Sequence, residues 1–290
     1  MISRAVTATA FVLCGVSIAA CGGAPMDAAS SATAPLKNTR VPHSPAVAAE
    51  SGVADIAEAA DRDEDPREAA KPLDGKVVVI DPGHNGGNFK KPQVINRKVN
   101  VLTQWKACDT TGTSTDDGYS EAAFTWDVSR RLAKLLRDRG ATVKLTRNGN
   151  DGVGPCITRR AEIGNKAGAD AAISVHADGS SPANRGFHVI MPKKIGGPVD
   201  PVVGASKKLG IAVRDAFRKG TGLPYSTYIG KNGLDYRSDL GGLNLSTVPK
   251  IFVECGNMRN AAEAAKFRRP AFRQKIAEAL AEGLHTYLTS

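Results

Sequence analysis

KVVVIDPG, residues 76–83, sets four consecutive β-branched apolar residues, Val77 to Ile80, against an abrupt Asp-Pro-Gly stop. A strand with one wet face alternates apolar and polar residues. A strand with no polar alternation suits a parallel sheet covered on both faces. Three similar runs follow at TVKLTRNG (142–149), AAISVHAD (171–178) and PKIFVECGN (249–257), and a shorter, more alternating one at GFHVIMP (186–192). Between them lie segments of helical period. GYSEAAFTWDVSRRLAKLLRDRG (118–140) places Phe124, Val128, Leu132, Leu135 and Leu136 on one face, opens near Ser120 and stops at Gly140. Further helices are expected over 158–168, 203–220 and 261–288, the last divided by Pro270. Strand and helix alternate, so the fold class is α/β, with a mostly parallel central sheet and helices on both faces.

Upstream of Lys76 the composition changes. Arg4 precedes an apolar stretch, Ala8 to Ala20 (ATAFVLCGVSIAA), too short to span a bilayer, which has the form of an export signal over residues 1–21. Ile18-Ala19-Ala20-Cys21-Gly22 fits a lipobox, making Cys21 a candidate lipidation site, although the small residues around it also suit ordinary cleavage. The expected location is therefore outside the cytoplasm, in the periplasm or cell envelope, with membrane contact only through that anchor. Residues 22–72 are rich in Ala, Pro, Ser, Asp and Glu with almost no aromatics, which predicts a disordered tether. Residues 73–290 are long enough for one domain with a full core, and a monomer is expected.

Charge divides at the same point. Residues 1–72 carry 6 Lys and Arg against 9 Asp and Glu, a net of −3; the remainder carries 33 against 20, a net of +13. An exported basic domain suits anionic surfaces such as cell-wall polymers. Nucleic acid is disfavoured: export removes the partner, and no stripe of interleaved basic and aromatic residues is present. Of the cysteines beyond the export segment, Cys108 lies in the polar loop ACDTTGTSTDDG and Cys156 in the Gly-rich loop GNDGVGPC, whereas Cys255 sits in a buried-strand pattern. A Cys108–Cys156 disulfide is expected.

The chemistry gathers at strand ends, where α/β sheets collect their ligands. The first run leads into His84, the third into His176 and Asp178, and the fourth into Glu254. If these strands are parallel neighbours, His84, His176 and Glu254 converge on one rim. Two imidazoles and a carboxylate, with one position open, are a common catalytic zinc set. Spacing leaves the carboxylate open among Asp81, Glu121, Asp178 and Glu254; Asp81 is better placed as a supporting partner, and Glu121 lies in the first turn of a helix, where a negative charge is favoured. Taken singly, each residue also has a purely structural reading. His43 falls in the tether, and His188 and His285 have ordinary packing roles available.

VVVIDPGHNGG, DDGYSEAAFTWDV, SVHADG and PKIFVECGNMRN, in that order, resemble the zinc-dependent N-acetylmuramoyl-L-alanine amidases of bacterial cell-wall remodelling, in particular single-domain actinobacterial members. The resemblance covers residues 75–288. It implies one zinc ion held by His84, Glu121 and His176, Glu254 as general base, and hydrolysis of the amide between N-acetylmuramic acid and L-alanine in peptidoglycan or muropeptides. The motifs depart from the family after the last glutamate, where Cys255-Gly256-Asn257-Met258 replaces a bulkier apolar stretch. No insertion is long enough to be the occluding helix of some relatives. The loop from Asn85 to Ser120 is long enough to form a cleft wall, and its Lys90, Lys91, Arg97 and Lys98 are either candidates to receive peptide carboxylates or, equally, solvated surface charge. Competing readings are a zinc peptidase or glycan deacetylase acting on peptidoglycan, and a non-catalytic wall-binding module.

Overall fold

The computed structural model describes residues 70–290. The export segment, Cys21, His43 and nearly all of the expected tether lie outside the described residues. Six strands form one sheet: β1 (Val77–Pro82), β4 (Thr142–Leu145), β5 (Ala171–Asp178), β6 (His188–Pro192), β7 (Leu234–Arg237) and β8 (Lys250–Asn257), in the order β4-β1-β5-β8-β6-β7. The pairs β4–β1, β1–β5 and β5–β8 are parallel. β6 runs antiparallel to β8 and carries β7 parallel beside it, so the last two strands oppose the other four.

The fourfold apolar run of β1 is explained by its surroundings. Val78 and Ile80 join the main core, while Val79 between them joins a smaller one on the opposite face. Both faces are thus covered, and unequally. Helices α2 (Glu121–Asp138), α4 (Val203–Thr221) and α7 (Pro270–Leu288), the last preceded by the short α6 (Ala261–Phe267), pack on one side, where Phe124, Leu132, Leu136, Leu209, Phe217 and Leu280 are fully buried. On the other side, α3 (Ile157–Lys166) and the single-turn α5 (Gly241–Asn244) cover only Val79, Ala169, Ala172 and Val248. Small side chains let α3 lie close. No helix among the described residues is long and apolar enough to cross a membrane.

Three differences from the sequence reading bear on the site. The run at 142–149 is a strand only to Leu145, because Thr146 and Arg147 turn their side chains inward to hydrogen-bond Asp81 and the Pro82 carbonyl. β7 was not anticipated. It is a four-residue edge strand set in the Gly-rich segment GKNGLDYRSD. The long loop after His84 is also structured: it contains the single-turn α1 (Pro92–Ile95) and a hairpin of β2 (Lys98–Asn100) and β3 (Trp105–Ala107). A disulfide joins Cys108 in this loop to Cys156 at the start of α3. The bridge encloses 48 residues of sequence separation, which in the chain-entropy model contributes about 4 kcal/mol.

Candidate active site

β1, β5 and β8 are consecutive parallel strands and end at one edge of the sheet. His176 and Glu254 are direct register partners on β5 and β8. His84 follows the Pro82-Gly83 turn with a backbone φ of 57°, a left-handed conformation that a side chain rarely adopts without compensation elsewhere. Glu121 is the first residue of α2, whose N-cap Ser120 accepts from the Ala123 amide. All four residues line one cleft of about 350 Å³.

His84, Glu121 and His176 form a compact set whose ligand atoms all lie within 4.8 Å of one another. Glu121 Oε1 is 3.1 Å from His84 Nε2 and 2.9 Å from His176 Nδ1. Backbone amides hold the carboxylate from behind: Thr113 donates to Oε2 at 2.9 Å and Ala177 to Oε1 at 3.2 Å. Burial pushes the Glu121 carboxyl upward, but the two imidazoles outweigh it and hold the group well below the usual carboxylate range. His84 Nδ1 faces the Thr110 carbonyl at 3.0 Å. A carbonyl only accepts, so a proton on Nδ1 would be held there and leave the Nε2 lone pair for a metal. The same carbonyl accepts from Asn88, which is fully buried.

The His176 ring is fixed by packing. It stacks on Phe252 with centroids 3.9 Å apart, and its other side presses on Gly83, where a Cβ would come within 2.2 Å of the ring. Only glycine fits there. Burial lowers the His176 pKa against the opposing pull of Glu121, favouring the neutral, ligating form. Two imidazoles and one carboxylate suit zinc; calcium and magnesium prefer all-oxygen sets.

The other carboxylates considered from the sequence are occupied. Asp81 accepts from Thr146 and Ser174, both at 2.6 Å, and pairs with Arg160 at 2.9 Å and Lys250 at 3.2 Å. Burial raises its pKa, but the two cations and two hydroxyls leave it well below the ordinary value. Asp81 therefore supports no histidine directly. It acts through Arg160, whose guanidinium also binds the carbonyls of Pro82 and His84 and the carboxylate of Asp109. Arg147 clamps the same turn from its other side, through the carbonyls of Pro82, Gly83 and Ala122. Asp178 accepts from the Tyr228 hydroxyl at 2.7 Å.

Glu254 is different in kind. Its Oε2 is shielded and has no hydrogen-bond partner among the described residues. Burial, reinforced by the charges of Asp178 and Glu121, pushes its pKa well above the ordinary glutamate value. Behind it, His188 is the antiparallel register partner of Glu254, fully buried, with its Nε2 4.0 Å from Asp178.

This arrangement matches known proteins. Residues 78–286 fit the family model described as N-acetylmuramoyl-L-alanine amidase. The chain belongs to that family. It is 40% identical over 218 residues to N-acetylmuramoyl-L-alanine amidase Rv3717 of Mycobacterium tuberculosis, covering 74% of this chain and 88% of the relative. To the amidase AmiA of Escherichia coli it is 27% identical over 250 residues, covering 75% and 78% of the two chains. The crystal structure of the amidase Ami1 from Mycobacterium smegmatis superposes with a TM-score of 0.70 at 39% identity, covering 74% of this chain and 98% of that one.

Within this amidase fold, the loop from Asn85 to Ser120 does line the cleft, through Lys106, Ala107, Asp109 and Thr110. Lys90, Lys91, Arg97 and Lys98 do not line the cleft; Lys106 from β3 does, held by Asp239 at 3.1 Å. The supporting residues Arg160, Arg147, Asn88, Thr110 and Lys250 were missed. Their partners lie far away in sequence, as with Arg160 and Asp81, 79 residues apart.

Proposed function

We propose that this amidase is a zinc enzyme that cleaves the bond between N-acetylmuramic acid and L-alanine in peptidoglycan, in cell-wall remodelling or turnover. We also propose that His84, Glu121 and His176 hold the metal and that Glu254 carries the proton. The observation that supports this most is the pairing of a compact His-Glu-His set with a carboxylate, in the same cleft, whose Oε2 has no hydrogen-bond partner among the described residues.

Bound at that set, zinc would supply Lewis acidity toward the scissile carbonyl and toward water. The remaining work belongs to the chain. Thr110 and Asn88 fix the His84 ring, Gly83 and Phe252 fix that of His176, and backbone amides hold Glu121. Glu254 takes one proton from the attacking water as the oxygen–carbon bond forms, and delivers it to the alanine nitrogen as the carbon–nitrogen bond breaks. A raised pKa suits a group that must both accept and release a proton. The curated relatives' names place their activity on muramoyl-alanine bonds, which supports an exported setting. In that setting residues 1–21 would direct export, Cys21 would be the point of lipidation, and 22–72 would serve as a tether.

The test is digestion of defined muropeptides with and without chelator, products being identified by mass. Peptide-free muramic acid together with a free alanine N-terminus, lost on chelation, supports the reading. Cleavage within the peptide or release of acetate would replace it with a peptidase or a deacetylase.

A further inference from the structure

A second hollow of about 380 Å³ lies beside the catalytic cleft, lined by Asn85, Phe89, Thr113, Ser114 and Ser120 among others. The backbone at Gly112 divides the two. A Cβ at Gly112 would lie 2.8 Å from Glu121 Oε2 on the site side, and Gly112 itself lines the hollow on the other. The spaces differ in chemistry. The cleft is lined by Asp81, Asp109, Glu121, Glu254, Lys106 and Arg160, whereas no charged side chain lines the hollow.

We propose that this hollow is a glycan subsite that takes an uncharged acetamido sugar of the substrate's glycan strand, a proposal resting on the amidase reading for its choice of polymer. Three observations support it. Asn85 is buried and donates through Nδ2 to the Gly154 carbonyl, yet its Oδ1 acceptor has no partner among the described residues. Ser114 lines the hollow, and the Ser120 hydroxyl, which accepts from Ala123, keeps its own proton to donate. Phe89 stands 67% exposed at the rim, an apolar surface on which the C–H face of a pyranose can pack. Hydroxyls and amides beside an aromatic face fit a neutral sugar; an anionic peptide stem would find no cation here. The cation closest in the chain, Lys90, places its ammonium 5.6 Å from the Phe89 ring centroid and does not line the hollow.

The position also fits the reaction. Hydrolysis at the metal set requires the muramoyl carbonyl in the cleft, and the hollow lies one backbone thickness away. A glycan seated there would place the lactyl group at the rim of the cleft, leaving the side of Lys106 for the acidic peptide.

The experiment titrates peptide-free chitotetraose, an acetamido-sugar oligomer, into the full chain by calorimetry. Wild-type protein should bind, with chelator present or absent. Phe89→Ala should weaken binding roughly fivefold to tenfold, the loss of one aromatic contact. Trp105→Ala, which removes another exposed aromatic outside the hollow, should change nothing. Absence of wild-type binding, equal binding by Phe89→Ala, or a loss that follows Trp105 overturns the proposal. The two readings fail separately: binding that depends on Phe89 in a protein unable to cut muramoyl-alanine would remove the reaction and leave the subsite.

Discussion

Glu121 and Glu254 line the same cleft, and the chain treats them in opposite ways. Glu121 opens a helix, faces two imidazoles and accepts from two backbone amides, so its charge is held despite burial. Glu254 lies within β8 with an oxygen unpartnered among the described residues and two neighbouring negative charges, so burial raises its pKa. One site therefore contains a carboxylate built to stay anionic and another built to change state. That separation is what a ligand and a proton carrier require, and it is created by neighbours, not by residue type.

The largest expected effects come from exchanging these roles. Glu121→Gln removes the anionic donor and should lose both metal and activity, measured by metal analysis and muropeptide turnover. Glu254→Gln should keep the metal while turnover falls by about 10²–10⁴-fold, the usual span for a lost general base. Next in size is the buried pair network behind the site. Asp81→Asn leaves Lys250 and Arg160 without their shared anion, and should cost about 3–5 kcal/mol in urea unfolding.

The two kinds of carboxylate should also differ in their pH dependence. Asp81 has a depressed folded-state pKa, so it contributes stability above its unfolded pKa, lost as pH falls through the folded value. Glu254 has a raised one. Its folded state holds the proton more tightly than the unfolded chain, so stability declines as pH rises from the ordinary glutamate range through the folded value. In chelated protein, Glu254→Gln should raise the melting temperature at neutral pH, with the difference vanishing below the ordinary glutamate pKa. A difference that persists in acid would contradict this. The smallest expected effect is at the helix start: Ser120→Ala should cost about 1 kcal/mol in thermal unfolding with the metal retained.

The strand ends were legible because His84, His176 and Glu254 interrupt or close runs that are otherwise apolar, and parallel neighbours bring such ends together. The choice of Glu121 over Asp81 was not legible from spacing. It depends on Arg160 and Lys250, which occupy Asp81, and an arginine in TRRAEIGNK looks the same whether it faces water or a buried carboxylate. β7 escaped notice because four residues show too little period. Which basic residue of the long loop reaches the cleft was not legible for a related reason: composition locates charge in a segment, while the β2–β3 hairpin decides that Lys106 alone among its lysines lines the cleft.

The central claim is that Glu254 carries the proton over a metal set that does not include it. Zinc content and muropeptide turnover measured on one preparation of Glu254→Gln test this most directly. The expected result is one zinc per chain, as in wild type, with turnover reduced by at least about a hundredfold. Near-wild-type turnover, or loss of the zinc together with the activity, would contradict it.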